Sequence, residues 1–538
     1  MRTYQSIEKV KEIDYVVFSF HFEIYDVIIY SVIKGEINKD FSPTSTQKRD
    51  NSLSLRQQIN KTPFNMFNKN VYAGRRATLK KMINTGIAFF PANNEAPFNY
   101  PDNTYIYRQD SNFSYFFGLN HPDLVGVIDF ESGEEMIFGV EVTIDDVIWC
   151  GPLPSLKEQG ESIGISDCRD FNRFGEYIQQ ALAKGRKIHI LPTYRGDTQI
   201  QCANWLGCNV NKVADYVSVE LIKAVIAMRE IKSELEIAEM ERAANTAYYM
   251  HTTAMKMCKP GMVEQEIAGM VEGLSLSGGG PVSFPVILSV DGQTLHNHGH
   301  HNVLKEGRMM VCDAGAETEN YYASDFTRTT PVGGKFNQRQ REIYEIVLAA
   351  NQKVAANTRP YMPYMTMHTL ACRTLIEGLK DVGLMKGNVD DALMNGAHWL
   401  FMPHGLGHML GMDVHDMEGL GETYVGYDDI TPRSTKQGFS CLRCGKTLKP
   451  GFVVTDEPGI YFIPTLIDLW KAEGKHKDFI CYDKLESYKD FGGIRIEDDL
   501  LITDDGCRIL GRPIPKTVAE VEEMCAQGRE WIKMPGVY

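Results

Sequence analysis

Seven of the fourteen histidines fall in two short stretches. Four lie in LHNHGHH at residues 295–301, and His404, His408 and His415 lie in PHGLGHMLGMDVH. Four carboxylates sit in comparable settings. Asp313 ends the apolar run MMVC, and Asp325 follows in YYASDFTRT. Glu457 follows FVVTD and precedes Pro458-Gly459, and Glu497 lies in GGIRIEDD. A carboxylate at the end of an apolar strand is costly to bury unless it is paired or coordinated to a cation. Four such carboxylates with one histidine make an oxygen-rich donor set that can hold two divalent ions. Bridging carboxylates would keep the ions close enough to share a water. Taken singly, each acid reads as a surface group at a strand end and each histidine as a solvated loop residue. Together they point to a centre for two divalent ions that share a water.

The elements that must carry these residues change character along the chain. From Tyr72 onward short apolar runs alternate with amphipathic segments, the α/β pattern. GIAFFPA at 86–92, LVGVIDF at 124–130 and KIHILPT at 187–193 read as buried strands, and 217–228 as a helix. Ser233-Glu234-Leu235-Glu236 is a capping box. It opens a helix that runs to Pro260-Gly261 and sets a domain boundary near 229. Beyond it the pattern is α+β: a strand at 284–289, a hairpin carrying Asp313 and Asp325, helices at 338–358 and 367–382, and strands at 451–455 and 493–503. The polar stretch 36–65, after an apolar stretch broken by Glu23 and Asp26, reads as a weakly ordered extension over 1–65. The regular protein is expected to start at Met66. The expected domains are thus 1–65, 66–228 and 229–538.

Composition narrows the possible functions. The 538 residues carry a net charge of −14, which disfavours nucleic acid and anionic membranes as partners, since both need clustered Lys and Arg. No run is apolar enough to span a bilayer. Gly405-Leu406-Gly407 lacks the third glycine of a dinucleotide loop, and no Walker sequence occurs. The twelve cysteines are scattered, and the single close pair, Cys441 and Cys444, has no second pair or histidine pair at zinc-finger spacing. They read as plain packing or surface thiols in a reducing cytoplasm.

The ordered set DAGAETENYYASDFTRT, HGLGHMLGMDVHD, TDEPGIYF and GIRIEDD resembles the pita-bread metallopeptidases: aminopeptidase P, prolidase, methionine aminopeptidase and creatinase. YRQDSNFSYFFGLNHPDLVGVID at 107–129 resembles the amino-terminal domain of aminopeptidase P and prolidase. The resemblance implies a C-terminal pita-bread catalytic domain preceded by an α/β domain of the creatinase/aminopeptidase-P type. It also implies two divalent metal ions, usually manganese. Asp313 would bind one ion, Asp325 and Glu497 would bridge the pair, and His408 and Glu457 would complete the other. Glu457 would move the proton to the leaving nitrogen, His296 and His415 would contact substrate, and His404 and Arg495 would line a proline pocket. Arg495 read on its own could instead pair with Asp498 or Asp499.

Eleven residues separate Asp313 from Asp325, where the family usually has ten. The surplus residue is expected at the hairpin tip within 317–322, because a slip inside a strand would turn one aspartate away. The expected activity is that of a cytoplasmic Xaa-Pro aminopeptidase acting on small peptides with proline second. An Xaa-Pro dipeptidase is the alternative, and a non-catalytic binding protein on the same fold a third reading. A homo-oligomer is expected from the resemblance alone.

Overall fold

The computed structural model describes residues 67–531, so the expected extension over 1–65 and the start at Met66 lie outside the described residues. The first half is built on a five-stranded mixed sheet. It comprises β1 (Ile87–Pro91), β2 (Leu124–Asp129), β3 (Glu135–Gly139), β4 (Asp167–Asp170) and β5 (Ile188–His189), in the order β4-β3-β2-β1-β5. β1, β2 and β3 pair antiparallel, while β4 and β5 add in parallel at the two edges. Both faces are covered, which explains the unbroken apolar runs. Ile87 and Phe89 face the helices Phe174–Ala183 and Gly196–Leu206, whereas Ala88 and Phe90 join the main core on the other face. This is the period-two alternation of a strand. Sequence reading missed β3 and β4, and the strand expected at 187–193 is in the structure only the two residues of β5.

The helix expected over 217–228 is Val219–Arg229, capped by Ser218, whose hydroxyl accepts from Leu221 N at 3.2 Å. The capping box forms as read: Ser233 N donates to Glu236 at 3.0 Å, and the helix Glu234–Met257 follows. Between these helices the chain is held by buried charges. Arg229 donates to Asp416 at 2.7 Å and to Asp413 at 2.9 Å, Lys232 reaches Asp416 at 3.0 Å, and Glu230 accepts from Lys446 at 2.6 Å. Removing one partner of such a buried pair costs about 3–5 kcal/mol.

The second half contains three small sheets. β6 (Ile287–Ser289), β7 (Met309–Ala314) and β8 (Phe326–Pro331) form one, in that order. β9 (Val453–Asp456), β12 (Asp498–Ile502) and β13 (Cys507–Ile509) form another, with β12 central. β10 (Gly459–Tyr461) and β11 (Gly493–Arg495) pair alone. The strand expected at 493–503 is thus two strands with different partners, and Glu497 occupies the break. One pair of helices, Glu234–Met257 and Glu264–Ser277, backs the first sheet, and a second pair, Gln338–Asn357 and Tyr364–Asp381, backs the others. One apolar cluster runs from the helix Lys69–Met82 through these helices to Val521, so the two halves share a core.

The hairpin keeps a single register from Met309–Pro331 through Asp313–Thr327 to an outlying Glu317–Ala323 bridge. The odd loop is closed by Thr318 N donating to Tyr322 O at 3.0 Å, with Tyr321 left-handed at φ 65°. A three-residue loop ending in a left-handed residue is a standard hairpin closure. A tyrosine there costs about 1–2 kcal/mol. Stacking of Arg108 4.2 Å above its ring and a 3.3 Å bond from Gln109 N to its hydroxyl help to hold it. The strands therefore do not slip, and Asp325, two residues from Thr327, shares a face with Asp313.

Candidate metal centre

β7 delivers Asp313, and the chain just before β8 delivers Asp325. Thr327 sits opposite Asp313, and its hydroxyl donates to Glu497 at 2.6 Å while accepting from Arg495 Nε at 3.0 Å. Glu497 N donates to Thr327 O at 3.0 Å. One threonine thus fixes both Glu497 and Arg495 against the hairpin. His408 is fixed by β9: its N donates to the Thr455 hydroxyl at 3.1 Å, and Thr455 N donates back to His408 O at 3.0 Å. A Cβ on Gly407 would lie 2.0 Å from Thr455 O, so only glycine allows this approach. The Thr455 hydroxyl also donates to Glu457 at 3.3 Å.

His408 Nδ1 lies 3.0 Å from Met409 O. A carbonyl only accepts, so Nδ1 carries the proton and Nε2 presents a lone pair. That lone pair faces Asp325 Oδ2 at 3.4 Å and Glu457 Oε1 at 3.7 Å. Donor atoms of Asp325, His408 and Glu497 lie within 4.8 Å of one another, all buried. Oδ1 of Asp313 and Oδ1 of Asp325 are buried without a hydrogen-bond partner. Burial, with repulsion from neighbouring carboxylates, holds Asp325 and Glu497 well above the usual carboxylate range, and burial raises Glu457 as well. Carboxylates that repel one another this strongly, converging with an imidazole lone pair and orphaned carboxylate oxygens, suit a cation that would take the place of their protons.

Asp313 and Glu457 flank this trio. Arg495 Nη2 contacts Asp313, and Arg495 Nε lies 3.9 Å from Glu497. Arg495 therefore pairs with neither Asp498 nor Asp499; Asp498 is taken by Arg328 at 2.7 Å and Lys516 at 2.5 Å. A directed chain leads away from Arg495. Its Nη1 donates to the Tyr461 hydroxyl at 2.9 Å, and that hydroxyl donates to His404 Nε2 at 3.0 Å, since His404 Nδ1 is bound to Gly405 O at 2.8 Å. Burial and the Arg495 charge push His404 down to about 3, so its ring stays neutral. His415 lies 3.9 Å from the His408 ring, and its Nδ1 is bound to Glu418 at 3.0 Å, which also accepts from Arg443 at 2.7 Å. Burial beside His408 pushes His415 down to about 4.

All nine residues read from the sequence line one cavity of about 530 Å³, together with Phe284, Leu295 and Val414. His296 lies at its exposed edge. Sequence reading missed Thr327, Thr455, Tyr461 and Glu418. Tyr461 could have been found, because its hydroxyl sits in an otherwise apolar run after Glu457. Cys441, read as a plain thiol, also lines the cavity, with Arg433 and Arg443. All twelve cysteines are free.

Residues 238–504 match the family model of Metallopeptidase family M24, and residues 72–191 that of the Aminopeptidase P, N-terminal domain. Xaa-Pro dipeptidase of Homo sapiens is 31% identical over 442 residues, 79% of this chain and 85% of that protein. Xaa-Pro aminopeptidase of Escherichia coli (strain K12) is 30% identical over 445 residues, 80% of this chain and 91% of that protein. The structure of Pseudomonas aeruginosa aminopeptidase PepP matches with a TM-score of 0.70 at 28% identity, covering 86% of this chain and 99% of that one. The chain belongs to Metallopeptidase family M24 and carries the pita-bread fold behind an aminopeptidase-P-type domain. It is a hydrolase of the divalent-metal-dependent class. Among the described residues no helix is long and apolar enough to cross a membrane.

Proposed function

We propose that this chain is an Xaa-Pro aminopeptidase that hydrolyses the peptide bond between an N-terminal residue and a following proline with the help of two manganese ions. One observation carries the reading: orphaned carboxylate oxygens and a lone imidazole lone pair converge on the floor of a cavity of peptide dimensions. Asp313 would hold one ion, Asp325 and Glu497 would bridge, and His408 and Glu457 would hold the other. Bound there, the ions would supply Lewis acidity and an activated water. The chain's own groups do the rest. Glu457, whose side chain is 18% exposed toward the cavity, takes a proton and passes it to the leaving nitrogen. His296 and His415 contact the peptide and its developing charge. His404, Tyr461 and the stem of Arg495 wall the proline ring. Proline has no N–H to satisfy, whereas an ordinary amide in this wall would lose its partner, at about 1–3 kcal/mol.

Arg433 and Arg443 favour a second reading, an Xaa-Pro dipeptidase, because they bring guanidinium groups to the cavity, where a free proline carboxylate would be received. Ion pairs of Arg443 to Glu418 at 2.7 Å and of Arg433 to Glu422 at 2.9 Å offset that charge. Rates on Gly-Pro and on an Xaa-Pro-Xaa tripeptide, measured together, decide between them. Cleavage of the dipeptide alone overturns the aminopeptidase reading. Absence of both activity and retained manganese supports a non-catalytic binding protein. Domains over 66–228 and 229–538, a homo-oligomeric state and a cytoplasmic location complete the proposal. Sedimentation at micromolar concentration tests the oligomer.

A further inference from the structure

Behind the wall of the cavity the chain buries a second group of metal-binding side chains. His368 and Cys372 sit one turn apart on the helix Tyr364–Asp381, and His398 comes from the turn Ala397–Leu400. One donor atom from each lies within 4.8 Å of the others, and none of the three residues is more than 1% exposed. The Gly438 carbonyl lies 2.7 Å from His368 Nε2 and 3.3 Å from His398 Nε2. A carbonyl only accepts, so both rings donate there and each keeps a bare Nδ1. His398 Nδ1 has no hydrogen-bond partner, and the Cys372 sulfur lies 3.6 Å from His368 Nε2 and 3.9 Å from its Nδ1, within reach of either ring nitrogen.

This arrangement is hard to explain as packing. The edge of Phe439 closes it at 5.5 and 5.8 Å from the two ring centres. Apolar side chains would fill that space without stranding an acceptor. The backbone also makes room: Gly438 is at φ 84°, and a Cβ there would lie 2.4 Å from His398 Nε2. Histidine rings that ligate metals commonly give their other N–H to a backbone carbonyl, which is the position Gly438 occupies for both rings. Burial pushes His368 down to about 4 and His398 to about 3, so both are neutral, as ligands must be.

We propose that His368, Cys372 and His398 form a structural site for one zinc-class divalent ion, distinct from the carboxylate centre. Two nitrogens and a sulfur select a borderline ion, where the oxygen-rich centre suits a harder one. The thiol proton leaves to solvent as the ion enters, and the sealed position means that the site loads as the chain folds. The ion would tie the helix Tyr364–Asp381 to the turn Ala397–Leu400 and, through the Gly438 carbonyl that accepts from both rings, steady the segment whose Arg433, Cys441 and Arg443 line the substrate cavity.

The test uses the full chain, produced in zinc-supplemented or cobalt-supplemented medium and then dialysed against EDTA. The expected result is one equivalent of zinc retained by the wild type and by Asp325→Ala, and lost from Cys372→Ser and His398→Gln. The cobalt form of the wild type should show a thiolate-to-cobalt charge-transfer band. Zinc absent from Asp325→Ala, or retained in full by Cys372→Ser, overturns the proposal. If the variants do not fold, the wild-type cobalt spectrum decides, because cobalt bound without a thiolate band refutes the site. None of these readouts depends on peptidase activity.

Discussion

The carboxylate centre and the His368–Cys372–His398 group are both buried polar sets, yet they solve opposite electrostatic problems. The first packs acids whose mutual repulsion grows as they ionise, and it opens onto a cavity that admits ions and peptide. The second packs neutral donors inside apolar walls, where no charge accumulates until a cation arrives. An open set of hard donors suits ions that do chemistry, and a sealed set of softer donors suits an ion that holds structure.

The largest expected effect separates the two regions outright. Asp325→Ala and Glu497→Ala should each abolish measurable turnover, because losing a bridge releases at least one ion, whereas Cys372→Ser should retain turnover wherever it folds. Steady-state kinetics with metal analysis on the same samples checks this, and near-normal turnover in Asp325→Ala would refute the ligand assignment. Next comes Glu457→Gln, expected to lower kcat by about 10²–10⁴-fold with a smaller change in KM, since it removes the proton carrier and a ligand charge.

His404→Ala and Arg495→Ala should shrink the preference for Xaa-Pro over Xaa-Ala substrates by roughly ten- to hundredfold. Two active variants that both keep the full preference would place the proline pocket elsewhere. The smallest effect is the one that best contrasts the regions, and it is read from thermal melts across pH. Asp325, Glu497 and Glu457 bind protons more tightly folded than unfolded. The metal-free protein should therefore lose stability as pH rises above the usual carboxylate value toward their raised ones, and manganese should flatten that slope. His368 and His398 are depressed to about 4 and about 3, so they act in the other sense. Their stability contribution is present above the usual histidine value and is lost as pH falls below it. Each contributes up to about 1.4 kcal/mol per pH unit. His398→Gln should reduce the acid-side slope and leave the alkaline side unchanged; an unchanged acid side would contradict the sealed, neutral ring.

The carboxylate centre was legible in the sequence because its residues sit at the ends of apolar runs, where a charge has no reason to be unless something binds it. Asp313, Asp325, Glu457 and Glu497 all carry that signal. Thr327 and Thr455 did not, since a threonine in a strand is ordinary and only its hydroxyl's direction reveals its role. The sealed group was less legible still. His368 and Cys372 show helical spacing, but His398 joins them only through the fold. In the first half β3 was missed because Glu134 precedes it and Glu135 opens it, and β4 because DCRD reads as a loop.

Arg229 and Lys232 grip Asp416 one residue beyond His415, while Glu230 grips Lys446. The seam between the halves is therefore wired into the loop that carries His415, the histidine proposed to contact the peptide. In protein engineering this means that the amino-terminal half is not an interchangeable cassette. A chimera spliced near residue 229 must bring Arg229, Glu230 and Lys232 together with Asp416 and Lys446 from the same parent. A splice that separates them would leave bare charges in the core and release the His415 loop, even with every metal-binding motif intact.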